Sequence, residues 1–169
     1  MRPHDIAILL KLVSLKGNSW QLSTLANDTH ISLSEISESL NRSKVAGLLN
    51  SDKKQINRQN LMEFIEHGIR YVFPQQPGAL VRGTPTAHSH PFMKKMFPGQ
   101  TEFVWPNDKG KVIGQMIEPF YPKQSEAVNK DEKYYKLLSL VDVIRVGKTR
   151  EIKYALTELK KDILDGLPN

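Results

Sequence analysis

With 169 residues, 24 lysines and arginines against 18 aspartates and glutamates, and no cysteine, the chain suits one domain, or a small domain with a packed extension, at formal charge +6. The absence of cysteine excludes a disulfide framework, a thiolate zinc site and a thiol nucleophile, and it fits a reducing cytoplasm. The apolar run from Ile6 to Leu15 is interrupted by Lys11 and is too short to span a bilayer, so the expectation is a cytoplasmic protein without a membrane partner.

The first predicted element runs from Asp5 to Lys16. Ile6, Leu9, Leu10 and Val13 form one helical stripe, and Ile8, Leu12 and Leu15 widen it around the cylinder. A helix this apolar must be covered on more than one side. Gly17-Asn18 ends it, and Asn18-x-x-Gln21 has the form of a capping box for the next helix. There Leu22, Leu25 and Ala26 recur at helical spacing. After the break Thr29-His30-Ile31, Ser32-x-x-Glu35 opens a third helix as a second capping box. Leu33, Ile36 and Leu40 give it a buried stripe, and Gly47 suits its C-terminal left-handed turn.

A short helix, a tight turn and an amphipathic second helix predict a helix-turn-helix unit, whose second helix can lie in a DNA major groove. Leu25-Ala26, Ile31-Ser32, Ser34-Glu35-Ile36-Ser37, Leu40 and Ala46-Gly47-Leu48-Leu49 together resemble the core of winged-helix bacterial transcription regulators of the MarR-like kind. Ser43 departs from that pattern, standing where many members carry a second core leucine. The departure implies an early helix end or different packing. The resemblance also adds a second role for the first helix: it is either the centre of the N-terminal domain or in part a dimer interface.

Leu48-Leu49-Asn50, Ser51-Asp52-Lys53-Lys54 and Gln55-Ile56-Asn57 then read as strand, turn and strand, a candidate wing with Lys53 and Lys54 at its tip beside DNA phosphates. Paired lysines on a solvated loop give the same pattern. Asn57 can cap a helix to about Arg70 with Leu61, Phe64, Ile65 and Ile69 on one face, and Tyr71-Val72-Phe73 reads as a strand. The first unit therefore spans 1–73.

Residues 74–128 change character, since eight of the ten prolines lie between Pro74 and Pro122. Ala79-Leu80-Val81, Phe103-Val104-Trp105 and Lys111 to Ile117 are short apolar runs between breakers, so an irregular β-containing segment is expected. Residues 129–169 return to helix. Tyr134, Leu137, Leu138, Val141 and Ile144 make one stripe, Val146-Gly147-Lys148 a break, and Ile152, Ala155, Leu156, Leu159 and Ile163 a second. Two antiparallel helices or one kinked helix fit this pattern. The expected class is α+β, mainly α.

Asn57-Arg58, Glu63-Phe64, His67-Gly68, Tyr71 to Pro74, Arg82-Gly83-x-Pro85-Thr86-Ala87-His88 and Leu140 to Gly147 extend the likeness. They resemble a group of small bacterial proteins with helix-turn-helix regions. That resemblance implies a DNA-binding regulator and brings no ligand with it.

The predicted DNA-contacting residues are Ser34, Ser37, Glu38, Asn41, Arg42 and Lys44 on the second helix of the unit, with Lys53 and Lys54 on the wing. Asn pairs with adenine, Arg with guanine and Ser with a base edge or phosphate. Glu38 fits only if it accepts from cytosine or orients Arg42. The same residues also suit the solvated face of a packed helix. Charge alone does not decide, because residues 1–70 hold 9 basic and 7 acidic groups, residues 71–128 hold 6 and 4, and residues 129–169 hold 9 and 7.

His88 and His90 can share a strand face as a metal pair, but nothing nearby completes a site, and hydrogen-bonded loop histidines are favoured. Gly147-Lys148-Thr149 lacks the first glycine of a phosphate loop, Asp142 standing in its place. Phe103, Trp105, Phe120 and Tyr121 either line an effector pocket or form core, and Arg82 suits an anionic effector or a structural carboxylate. No acid/base pair is evident, and neither an enzyme nor a cofactor is expected. The expected function is a sequence-specific, homodimeric regulator of double-stranded DNA with a small-molecule or protein effector. The alternative is a winged-helix module that binds a partner protein, as an antitoxin-like inhibitor does.

Overall fold

A computed structural model describes residues 1–165. The chain is mainly helical α+β. In order it forms α1 (Pro3–Ser14), α2 (Leu22–Thr29), α3 (Leu33–Val45), α4 (Arg58–His67), a helical turn α5 (Ile69–Val72), β1 (Leu80–Pro85), a short α6 (Pro91–Lys94), β2 (Phe103–Pro106), β3 (Val112–Met116), a short α7 (Gln124–Ala127), α8 (Glu132–Val146) and α9 (Thr149–Leu164).

α1 is the centre of the molecule. Ile6, Ala7, Ile8, Leu9 and Leu10 are all 0 % exposed, because α3 packs on one side and α8 on another. Each such aliphatic side chain contributes about 1.5–3 kcal/mol by leaving water. This burial from Asp5 to Val13 within one chain fits the central-helix reading. α9 packs on α8 and α4, and buried residues from Ile6 to Ile163 form one contiguous cluster.

Several local expectations are corrected. Asn18-x-x-Gln21 forms no capping box, since α2 begins after Gln21 with no side-chain cap. At α3 the Ser32 hydroxyl does accept the Glu35 N–H at 3.3 Å, but Glu35 turns its carboxylate to other partners. Leu33 is 52 % exposed and leaves the buried stripe, which runs instead through Ile36, Ser39, Leu40 and Ser43. Ser43 does not end the helix early. α3 runs past it to Val45 and closes at Gly47 (φ +75°), with Leu48 N–H donating to Ser43 C=O and Gly47 N–H to Lys44 C=O. Asn57 caps α4 as expected, but the helix breaks at Gly68, and Tyr71-Val72 belongs to the helical turn α5 instead of a strand. Ile69, N-terminal to these residues, is fully buried and docks this turn on the core.

The strands fall where the prolines and glycines bracket them. β1 pairs antiparallel with both β2 and β3, β2 and β3 run parallel, and the three close into a small barrel. Gly83 sits in register with Pro106 on one side and Val112 on the other. A Cβ at Gly83 would lie 2.0 Å from the Trp105 carbonyl oxygen, and one at Gly110 2.3 Å from that of Gly83. Closure therefore requires both glycines.

A buried polar cluster joins this segment to α8. Asp142, fully buried, accepts from the Thr86 hydroxyl (2.7 Å), the Trp105 indole (2.7 Å) and Arg145 (2.9 Å). Arg145 also donates to the carbonyls of Phe73 and Glu118 and lies over the Phe120 ring. Burial pushes the Asp142 carboxyl above the ordinary range, against the pull of Arg145 and its hydrogen bonds. Trp105, Phe120 and Tyr121 are buried in the core, and Phe103 packs against it. Arg82 is exposed and donates weakly to the Gly110 carbonyl.

Candidate nucleic-acid interface

α2 ends in His30, which adopts a left-handed conformation (φ +58°) and turns the chain into α3 within three residues. α3 is thereby held with Ile36 and Leu40 against the core and its opposite face in solvent. With 3.6 residues per turn, positions 34, 38, 41 and 45 share that outer face. Ser34, Glu38, Asn41, Lys44 and Val45 are exposed, and Ser37 is half-buried on the flank. Next to that flank, residues 48–57 make a tight hairpin. Leu49 and Ile56 form a single antiparallel bridge, and Asn50 and Asn57 N–H donate across to Gln55 and Leu48 C=O. Lys53 takes the left-handed conformation (φ +61°) at its tip, and Lys54 is exposed beside it. Five predicted contact residues of α3 thus face solvent at least in part, and the hairpin brings Lys53 and Lys54 beside them.

Arg42 is the exception. It lies about 100° around the helix from Asn41 and points to α1. Its guanidinium donates to both oxygens of Asp5 (2.9 and 2.8 Å) and to Glu35 (2.6 Å), with His4 at 3.2 Å and Glu38 at 3.8 Å. Asp5 is fully buried. The hydrogen bonds it donates to Asp5 and then Glu35 outweigh burial and raise the Arg42 pKa further. Burial opposes ionisation of Asp5, yet Arg42 and the Arg2 N–H hold its carboxyl below the usual range. Arg42, then His4, does the same for Glu35. The arginine is therefore a clamp between α3 and α1, and its base-reading role is withdrawn. The seven-residue spacing from Glu35 to Arg42, two turns of one face, was the signal in the sequence. Its buried partner thirty-seven residues away was not.

Neither histidine of the middle segment lies on a strand. His88 sits in a tight turn, paired with the Thr101 carbonyl at 2.6 Å and packed on Phe103. His90 accepts the Phe92 N–H to cap α6, packs on Tyr135, and is held neutral by burial and nearby Lys136, its pKa lowered to about 4. Among the described residues no group of three or more His, Asp or Glu could hold a metal. Lys148 and Glu151 cap α9, which accounts for the GKT run. Among the described residues no helix is long and apolar enough to cross a membrane.

In comparisons with protein-family models, with characterised proteins and with solved structures, nothing matches this chain.

Proposed function

We propose that the chain is a sequence-specific DNA-binding regulator of winged helix-turn-helix type, α3 entering the major groove and the 48–57 hairpin acting as the wing. The observation that carries this is the outer face of α3. It stands uncovered over 13 residues, about 20 Å, and presents short polar side chains at helical spacing beside two lysines. A major groove about 12 Å wide admits such a helix. Asn41 then reads adenine, Ser34 and Ser37 read base edges or phosphates, and Glu38 accepts from a cytosine amino group. Lys44, Lys53 and Lys54 meet phosphates. Acting as a cytoplasmic homodimer, the protein would read a palindrome, with an effector received by the remainder of the fold. We assign it no catalytic role.

Anisotropy titration against the DNA upstream of its own gene, with unrelated DNA and a salt series, tests the reading. Selective binding that weakens steeply with salt is expected. Asn41→Ala should lose about 1–3 kcal/mol at one base position. Absence of selective binding at low salt overturns it. One observation favours the second reading, a partner-protein module: Leu33 and Val45, on or beside the same outer face, are 52 % and 89 % exposed. Association with a protein through that face would depend little on salt and would fail in Val45→Lys.

A further inference from the structure

Between α3, the loop that follows α1 and the 48–57 hairpin lies a cleft of about 490 Å³, within the size range of small-ligand sites. Its walls include Trp20, Leu22, Ser37, Leu40, Lys53 and Lys54. Trp20 is half-buried, packed on the core with part of its ring in the cleft. Its indole N–H, unlike that of Trp105, has no acceptor among the described residues, and neither has the Ser37 hydroxyl. Neither lysine ammonium has a carboxylate partner among the described residues. The one acid in the walls, Asp52, is occupied in accepting the Lys54 N–H at 2.9 Å.

A half-buried indole in the wall, the apolar side chains of Leu22 and Leu40, and two ammonium groups without a carboxylate partner among the described residues together fit a ligand with a flat ring and a phosphate. We infer that this cleft is a nucleotide-binding site, the base stacking on Trp20 and the phosphate held by Lys53 and Lys54 with the Ser37 hydroxyl. The same chemistry comes from a free mononucleotide or from an unpaired nucleotide in a strand, for which stacking on an aromatic ring is sequence-tolerant. The site shares Ser37, Lys53 and Lys54 with the proposed duplex-reading surface and differs from it in Trp20 and Leu22, and in leaving out Asn41 and the rest of the outer face of α3.

The test is intrinsic fluorescence of the full chain titrated with AMP, adenosine, inorganic phosphate and a ten-residue oligothymidylate. Trp105 is fully buried, so the response reports Trp20. Saturable quenching by AMP or by the oligonucleotide, with adenosine and phosphate each weaker by about tenfold or more, supports the site. Quenching by AMP equal to that by the oligonucleotide assigns the free nucleotide, and quenching by the oligonucleotide alone assigns a strand. Lys53→Asn with Lys54→Gln, the asparagine chosen because it tolerates positive φ, should weaken binding about tenfold at unchanged melting temperature. Asn41→Ala separates the two functional readings, since it should impair duplex binding and leave the quenching titration unmoved. No saturable quenching by any probe, or quenching indifferent to the lysine pair, overturns the inference, as does phosphate alone matching AMP.

Discussion

Arg42 shows what adjacency in a sequence hides. Asn41 and Arg42 look like a base-reading pair, yet one faces solvent and the other closes on Asp5, whose carboxylate is fully buried. Arg42→Ala would strand that carboxylate, and a loss of about 3–5 kcal/mol is expected in urea unfolding. Arg42→Lys should recover little, because a single ammonium cannot span both oxygens. The pH dependence has two limbs. His90 is neutral in the fold down to about 4, whereas an unfolded imidazole protonates near 6.5. Its contribution is complete above pH 6.5 and is lost as pH falls towards 4, at about 1.4 kcal/mol per unit. His90→Asn keeps a cap for α6 and should flatten that limb in thermal melts. Asp5 and Glu35, with lowered carboxyls, contribute fully above about pH 4.5 and lose their share only as pH falls further. The lower limb should shrink in Arg42→Ala and survive in His90→Asn.

Among the elements, those with a long hydrophobic period were legible. α1, α3, α8 and α9 were each announced by residues recurring every three or four positions, and the structure places them there. The three strands were marked by the breakers that bracket them. Their closure was not, because pairing of β1 with β2 and β3 joins residues 19 to 35 apart and leaves no local pattern. The strand expected at Tyr71-Val72-Phe73 is instead largely the turn α5, since three apolar and aromatic residues suit either. The glycines separate steric from conformational need. Gly83→Ala forces a methyl within 2.0 Å of the Trp105 carbonyl oxygen and should open the barrel, read as loss of the Trp105 near-UV signal. Gly99→Ala meets nothing within 4 Å and carries only its positive φ, so a cost of about 1 kcal/mol is expected.

At the scale of the whole molecule, the buried polar cluster ties the middle segment to α8. Asp142→Ala would leave the Arg145 guanidinium, 8 % exposed, without its charge partner, for a loss of about 3–5 kcal/mol in the same unfolding experiment. The sequence placed Asp142 only as a residue that spoils a phosphate loop. Of its partners, Arg145 lies three residues on in the same helix, but Thr86 follows β1 and Trp105 lies in β2, 56 and 37 residues away, so no local reading could assemble them all. With buried residues from Ile6 to Ile163 in one cluster, helical content by far-UV circular dichroism and combined Trp20 and Trp105 fluorescence should change at one midpoint. Two midpoints would count against that single cooperative unit.

Helix α1 adds a consequence for synthesis. It is more apolar than α8 or α9 and leaves the ribosome before them, and the α8 surface that covers it lies more than a hundred residues later. Until those residues emerge, its aliphatic stripe has no complete cover and is a target for chaperones or for aggregation. The contacts that finally enclose it are of high sequence separation, which slows the search for the native arrangement. A ribosome-bound chain stalled before α8 should therefore be sensitive to protease within α1, and one stalled beyond α9 should be protected there.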